Sequence, residues 1–218
     1  FYAHASVGTL HVRPVLNMKS DQDIKNMKCI AEEAFEMVKK YRGSHSGEHG
    51  DGIVRSEFHE KMFGKKIISS FEQIKDSFDK KNLLNPHKIV RPFKSDDRSL
   101  MRYKSDYKAE NISTHYDWSS WGQFSDAVEM CNNNGACRKL DSGVMCPSYR
   151  VTKEEKDLVR GRANTLRLAL SNQLPKDSFV SKGMYETMEL CVSCKACQRE
   201  CPMSVDMAKM KSEFLSHY

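Results

Sequence analysis

The feature that most restricts this chain is "CVSCKACQRECP" at residues 191–202, where Cys191, Cys194, Cys197 and Cys201 follow the spacing C-x2-C-x2-C-x3-C and end on a proline. Half of the eight cysteines fall in this run. At this spacing three closely set thiolates wrap one iron–sulfur cluster, and the fourth, carried away by the proline turn, commonly ligates a second cluster in two-cluster ferredoxins. Zinc takes Cys-x2-Cys pairs set farther apart, and disulfides call for an oxidising compartment that nothing here signals. The run therefore predicts a [4Fe-4S] cluster.

A second group lies upstream in "CNNNGACRKLDSGVMCPSY", with Cys131, Cys137 and Cys146, the last again followed by proline. Asn134 stands where the middle cysteine would fall, and the gap before Cys146 is longer than in the downstream run. Under the crossed rule, Cys146 completes one [4Fe-4S] site with Cys191, Cys194 and Cys197, leaving Cys131, Cys137 and Cys201 as a three-thiolate set. Such a set can hold a [3Fe-4S] cluster, a [4Fe-4S] cluster with a non-cysteine ligand, or nothing. One cluster is expected and a second is open.

A chain of 218 residues suggests one or two domains, and 39% hydrophobic with 29% charged residues is ordinary for a globular protein. The opening "FYAHASVGTLHVRP" has neither an initiator Met nor a basic and apolar leader, and reads like the interior of a strand. The chain is thus expected to be a fragment of a longer protein. No stretch approaches the roughly 18 apolar residues of a membrane span. The expected location is the cytoplasm, or the periphery of the inner membrane. The net charge of +6 suits anionic small molecules as well as nucleic acid.

Composition divides the chain. Residues 94–125 are polar without a sustained period and read as a linker between a histidine-containing half, 1–93, and a cysteine-rich half, 126–218. In the first half, Ile24, Met27, Ile30, Ala34, Val38 and Tyr41 recur at helical spacing, with Ser20 or Asp21 as N-cap and Gly43 past the end. Cys29 on this helix has no Cys or His at ligand spacing and reads as a partly buried thiol. Ile67, Phe71, Ile74 and Phe78 predict a second helix over 66–81. In the second half, Thr152 and Glu155 are spaced as a capping box for a helix running to Ser171. Its Arg160, Arg162 and Arg167 read as a solvated face or as contacts to an acidic surface, the alternative being a nucleic-acid face.

An iron–sulfur module moves electrons, so a redox site is expected elsewhere. His4 and His11 are separated by six residues that include Gly8, where a turn lets both imidazoles converge. A third ligand is available from the glycine-rich "GSHSGEHGDGIVRSEF", which carries Glu48 and His49. Three protein ligands with an open position make a catalytic metal site able to hold a hydroxy acid. The competing reading is two hydrogen-bonded structural histidines and an ordinary loop.

In order, "YAHASVGTLHVRP", "SGEHGDGIVRSEF" and "FDKKNLLNPHKIVRPF" resemble three signatures of the C-terminal domain of FAD-linked oxidases of the vanillyl-alcohol oxidase type. That group contains D-lactate, glycolate and D-2-hydroxyglutarate dehydrogenases. "GVMCPSYRVTKEEKDLVRGRANTLRLAL" and "CVSCKACQRECP" are similar to the iron–sulfur part of large bacterial members in which both modules share one polypeptide. The resemblance implies an α+β part, the end of an FAD-linked oxidase substrate domain, followed by a mainly helical ferredoxin-like domain. It implies that His4, His11 and Glu48 hold a divalent metal such as zinc, that His49 is the base near the flavin, that Arg13 faces substrate, and that Asn85 lies where the chain returns toward the flavin. The sequence departs from the pattern at Ala3, at Ser6-Val7-Gly8 and at His87, where the family has glycine, Gly-Asp-Gly and glycine.

The function so implied is oxidation of a D-2-hydroxy acid, with FAD held mostly by an upstream domain and electrons leaving through the cluster to a quinone or an electron-transfer protein. Arg13 and Arg55 are forked donors for carboxylates, which favours a dicarboxylate such as 2-hydroxyglutarate over lactate or glycolate. Arg55 has a competing reading as an ion-pair partner of Glu57. Two other classes remain open from sequence: a stand-alone electron-transfer subunit, and a metal-stabilised nucleic-acid-binding protein. No nucleic-acid partner is expected.

Overall fold

The computed structural model describes residues 2–218, which separate into two compact units meeting at Tyr107 and Lys108. The polar stretch 94–125, expected as a linker, is shared between them. Its first part is tied into the first unit, where Ser95 N donates to Glu57 and Arg98 reaches Asp21 and the Tyr103 carbonyl. Its second part enters the core of the other unit through Trp118, which is 3% exposed.

The first unit begins with an antiparallel hairpin of β1 (Tyr2–His4) and β2 (Thr9–His11), in which His4 faces Thr9 and Tyr2 faces His11. Strand alternation puts Tyr2, His4, Thr9 and His11 on one side of this ribbon, with the two histidines as diagonal neighbours. Helix α1 (Asp21–Lys40) follows, with the Ser20 hydroxyl accepting from Asp23 N as an N-cap. Of the predicted stripe, Ile24, Met27 and Val38 are at least partly buried, and Ile30, Ala34 and Tyr41 are not. Ile24 and Phe35 are buried, whereas Ile30 and Tyr41 are exposed, because the core of this unit is built on rings, with Phe35 stacked on Phe58 at 5.1 Å. Cys29 falls on the outer side and is exposed, not partly buried.

Short helices α2 (Gly52–Arg55) and α3 (His59–Phe63) lead into α4 (Lys65–Phe78), three residues shorter at its end than predicted. Asp79 ends it by turning its carboxylate onto Leu83 N, Leu84 N and Lys75. The chain returns through left-handed residues Asn85 (φ 46°) and His87 (φ 60°). His87 thus adopts, without a glycine, a backbone conformation that glycine adopts most readily. Its ring donates through Nδ1 to the Arg91 carbonyl.

The second unit is all helical: α5 (Phe124–Glu129), α6 (Pro147–Thr152), α7 (Val159–Leu170), α8 (Lys182–Glu189), α9 (Ala196–Glu200) and α10 (Met207–His217). Phe124, Val128, Leu158, Leu166, Met188 and Phe214 form a closed centre. Glu213, fully buried, fastens α10 to the entering segment by accepting from His115 N, Tyr116 N, Trp118 Nε1 and His217 Nε2. The predicted capping box does not form. Thr152 Oγ1 accepts from Glu154 N, Glu155–Asp157 make a 3₁₀ turn, and α7 starts only at Val159. Gly161 allows this arrangement, since a Cβ there would lie 2.0 Å from the Glu155 carbonyl oxygen. No helix among the described residues is long and apolar enough to cross a membrane.

Candidate active site and candidate cluster site

Four expected residues of the first unit converge. His4 Nε2 lies 2.7 Å from His11 Nε2, and His4 Nδ1 lies 3.0 Å from a Glu48 oxygen whose partner oxygen accepts from Ser6 Oγ. The His49 ring stacks on His11 at 5.2 Å and meets the edge of His4 at 4.7 Å. Gly47 brings the loop close enough, because a Cβ there would meet Thr9 Oγ1 at 3.1 Å and Val7 Cγ2 at 3.3 Å.

One ligand atom from each of His4, His11 and His49 lies within 4.8 Å of the others, a spacing that can hold a metal ion. Glu48, expected as the third ligand, instead sits behind His4 on its far nitrogen, the position of a carboxylate that orients a metal-bound imidazole. Partial desolvation, with His4, His49, Arg13 and Arg55 nearby, pushes the His11 pKa down, which favours the neutral, ligating form. Hydrogen bonds from Ser6 and His4 lower that of Glu48 and keep it ionised.

Arg13 lines an open cleft with Tyr2, His11 and Val12. Arg55 Nη1 donates to the Gly50 carbonyl at 3.0 Å. The pairing of Arg55 with Glu57 does not occur, since Glu57 is taken by Lys28 and Ser95 N. Asn85 is not gathered with these residues. It lines an apolar cleft with Phe71, Ile74, Leu84 and Ile89.

In the second unit a small pocket is lined by Cys146, Cys191, Cys194 and Cys197, without Cys201. Left-handed Ser193 (φ 54°) and Lys195 (φ 59°) curl the loop on either side of Cys194, and Lys211 Nζ holds the Cys191 carbonyl at 2.7 Å. Glu200 accepts from Val144 N and Met145 N, fixing the segment that carries Cys146. Burial pushes the Cys197 thiol up to about 11, the condition of a buried sulfur awaiting a positive partner. Four cysteines around one pocket are the donor set of one [4Fe-4S] cluster.

Sequence reasoning missed the function of Arg162. It is neither solvated nor available to nucleic acid, being fully buried, with Nη1 donating to Cys146 Sγ at 3.5 Å, Nη2 to Ser148 Oγ at 3.1 Å and Nε to the Thr187 carbonyl at 3.0 Å. Arg167 is also buried, and Arg160 pairs with Glu155. The basic face on which the nucleic-acid reading rested is therefore absent from α7.

The remaining cysteines are arranged differently. Cys137 is buried, and its pKa is raised by that burial. The Asn134 side chain, in the place of a ligand, accepts from Ala136 N and donates to Asn132 Oδ1. Arg160 Nη1 donates to the Asn133 carbonyl beside them. Asn134 is thus engaged within its own loop.

Comparison with known proteins matches residues 1–89 to the C-terminal domain of FAD linked oxidases and residues 127–205 to a 4Fe-4S dicluster domain. Proteins named D-2-hydroxyglutarate dehydrogenase from Escherichia coli and Pantoea ananatis are 31% and 30% identical over 252 residues, each alignment covering all of this chain and 24% of the relative. The glycolate oxidase subunit GlcD of Bacillus subtilis is 28% identical over 88 residues, 40% of this chain and 19% of its own length. The chain thus spans about a quarter of the length of the first two relatives. No solved structure matches it. The hairpin and histidine loop thus belong to the C-terminal domain of the FAD-linked oxidases, and the cysteine-lined helical unit to the 4Fe-4S dicluster domains.

Proposed function

We propose that this chain is part of a flavin- and iron–sulfur-dependent dehydrogenase that oxidises a D-2-hydroxy acid, D-2-hydroxyglutarate first and D-lactate or glycolate next. The observation that carries the reading is the convergence of His4, His11, Glu48 and His49, residues up to 45 positions apart, beside the Arg13 cleft. Relatives named D-2-hydroxyglutarate dehydrogenase that align over the whole chain support the choice of acid.

His4 and His11, with Glu48 fixing the orientation of His4, would hold a divalent cation such as zinc, which lowers the pKa of a bound hydroxyl and orients the neighbouring carboxylate. His49 is exposed whereas the other two rings are half-buried, so it is the imidazole most open to substrate and takes the hydroxyl proton. Arg13 binds a substrate carboxylate. Arg55 holds the Gly50 turn and adds positive charge to the site. Flavin, when bound, would supply the acceptor for the α-hydrogen as hydride, so that the hydroxy acid leaves as a 2-oxo acid and the two electrons reside on the flavin. Cys146, Cys191, Cys194 and Cys197 would hold one cluster, which would supply one-electron transfer toward a quinone or an electron-transfer protein.

The test is His49→Ala in the full-length enzyme. Loss of a positioned base lowers kcat by roughly two to four orders of magnitude, with zinc and iron contents unchanged. Full turnover would end the proton-transfer role. Loss of zinc together with activity would make His49 a ligand instead.

A further inference from the structure

Beneath the loop that carries Glu48 and His49 lies a second group of ligating side chains. His45, Asp51 and His59 each place one ligand atom within 4.8 Å of the others. His59 is 3% exposed, and its Nδ1 faces the Ile89 carbonyl at 3.3 Å. A carbonyl oxygen only accepts, so Nδ1 carries the proton and the neutral ring presents its lone pair at Nε2. That lone pair faces Asp51 Oδ2 at 2.9 Å. A lone pair and a carboxylate oxygen do not approach so closely without a positive charge, either a second ring proton or a metal cation.

Three further observations favour the metal. Both ring nitrogens of His45 are buried without a hydrogen-bond partner, the Arg55 backbone approaching without meeting hydrogen-bond geometry. Asp51 Oδ1 is likewise buried with no partner at hydrogen-bond geometry, although the Ser46 side chain approaches this carboxylate. Asp51 also occupies the N-cap position of α2 yet makes no capping bond, its carboxylate being turned toward His59. Unpaired buried polar atoms are rare in native proteins and point to a missing water or ion. Phe35 and Phe63 pack against the His45 ring at 5.8 and 6.0 Å, giving the donors an apolar surround.

We propose that His45, Asp51 and His59 form a second divalent-metal site, of the zinc class, which fastens the Glu48–His49 loop to α3 and to the returning chain at Ile89. Two imidazoles and one carboxylate are a zinc-type donor set. The role is structural, and it stands whether or not the site at His4 and His11 is catalytic.

The test uses the full-length, cluster-loaded enzyme, stripped of zinc by chelation and titrated with zinc alone, with bound metal counted by elemental analysis. His45→Phe keeps an aromatic ring among Phe35 and Phe63 but removes the ligand, and it should bind one zinc ion fewer per chain than wild type. Asp51→Asn should weaken the same site at least tenfold. His4→Ala should lose a different ion, so that the His4 and His45 variants combined lose both. Equal zinc content and affinity in wild type and His45→Phe would overturn the proposal. So would imidazole nitrogen NMR of the zinc-titrated wild type showing His59 doubly protonated against Asp51.

Discussion

The two units hold their candidate sites with very different amounts of core. In the cysteine-bearing unit Phe124, Leu158, Leu166 and Phe214 are at most 1% exposed, whereas on α4 of the histidine-bearing unit Ile74 and Phe78 are 58% and 86% exposed. The cluster cavity is therefore set by packing, with polar ties added on top. The histidine site rests on a three-residue-strand hairpin and a loop, and its geometry depends on hydrogen bonds to Glu48, Ser6 and Asp51. A packed site resists small changes and fails as a whole, while a hydrogen-bonded one fails group by group.

The largest effect that would sharpen this contrast is expected at the cavity. Cys194→Ser should remove most of the iron and visible absorbance, since it breaks the four-thiolate lining, whereas Cys131→Ser should leave both nearly intact. Equal iron loss in the two variants would mean that the upstream cysteines also hold a cluster. Next is Glu213→Gln, which leaves buried donors unmatched and should destabilise the cysteine-bearing unit by roughly 2–4 kcal/mol, read by chemical denaturation, with no change in zinc binding by the other unit. An unchanged midpoint would show that packing alone holds α10.

The smallest effect concerns pH in the thinner unit. The Asp79 carboxyl is lowered from 3.8 to about 2, first by the Lys75 ammonium and then by the Leu83 and Leu84 amides that outweigh its desolvation. Its folded value lies below its unfolded one, so its contribution is complete above pH 3.8 and is lost as pH falls through about 2. Thermal unfolding of wild type should show this acid slope, and Asp79→Asn should flatten it. A variant with the same slope would transfer the effect to another carboxylate.

The parts of the molecule legible in the sequence were those governed by local rules. The Ser20 cap and the start of α1 follow from side chains within three residues. The buried side of α1 was displaced because Phe35 is selected by Phe58, a ring 23 positions away. Arg162 looked solvated because its partners, Cys146 and Thr187, lie 16 and 25 residues off. His45 and His59 gave no motif at all, since they lie six and eight positions from Asp51, in and beyond a glycine-rich loop, and the three meet only in the fold.

Arg162 also bears on how the cluster-bearing segments are joined. Its guanidinium links Cys146, Ser148 and the Thr187 carbonyl four residues before Cys191, so protein contacts stitch the two segments together. Closing the chain between them is an entropic cost that grows slowly with loop length and is met during folding. Cys146 is thus held beside the Cys191–Cys197 loop by protein contacts of its own, in addition to whatever bonds a cluster would make.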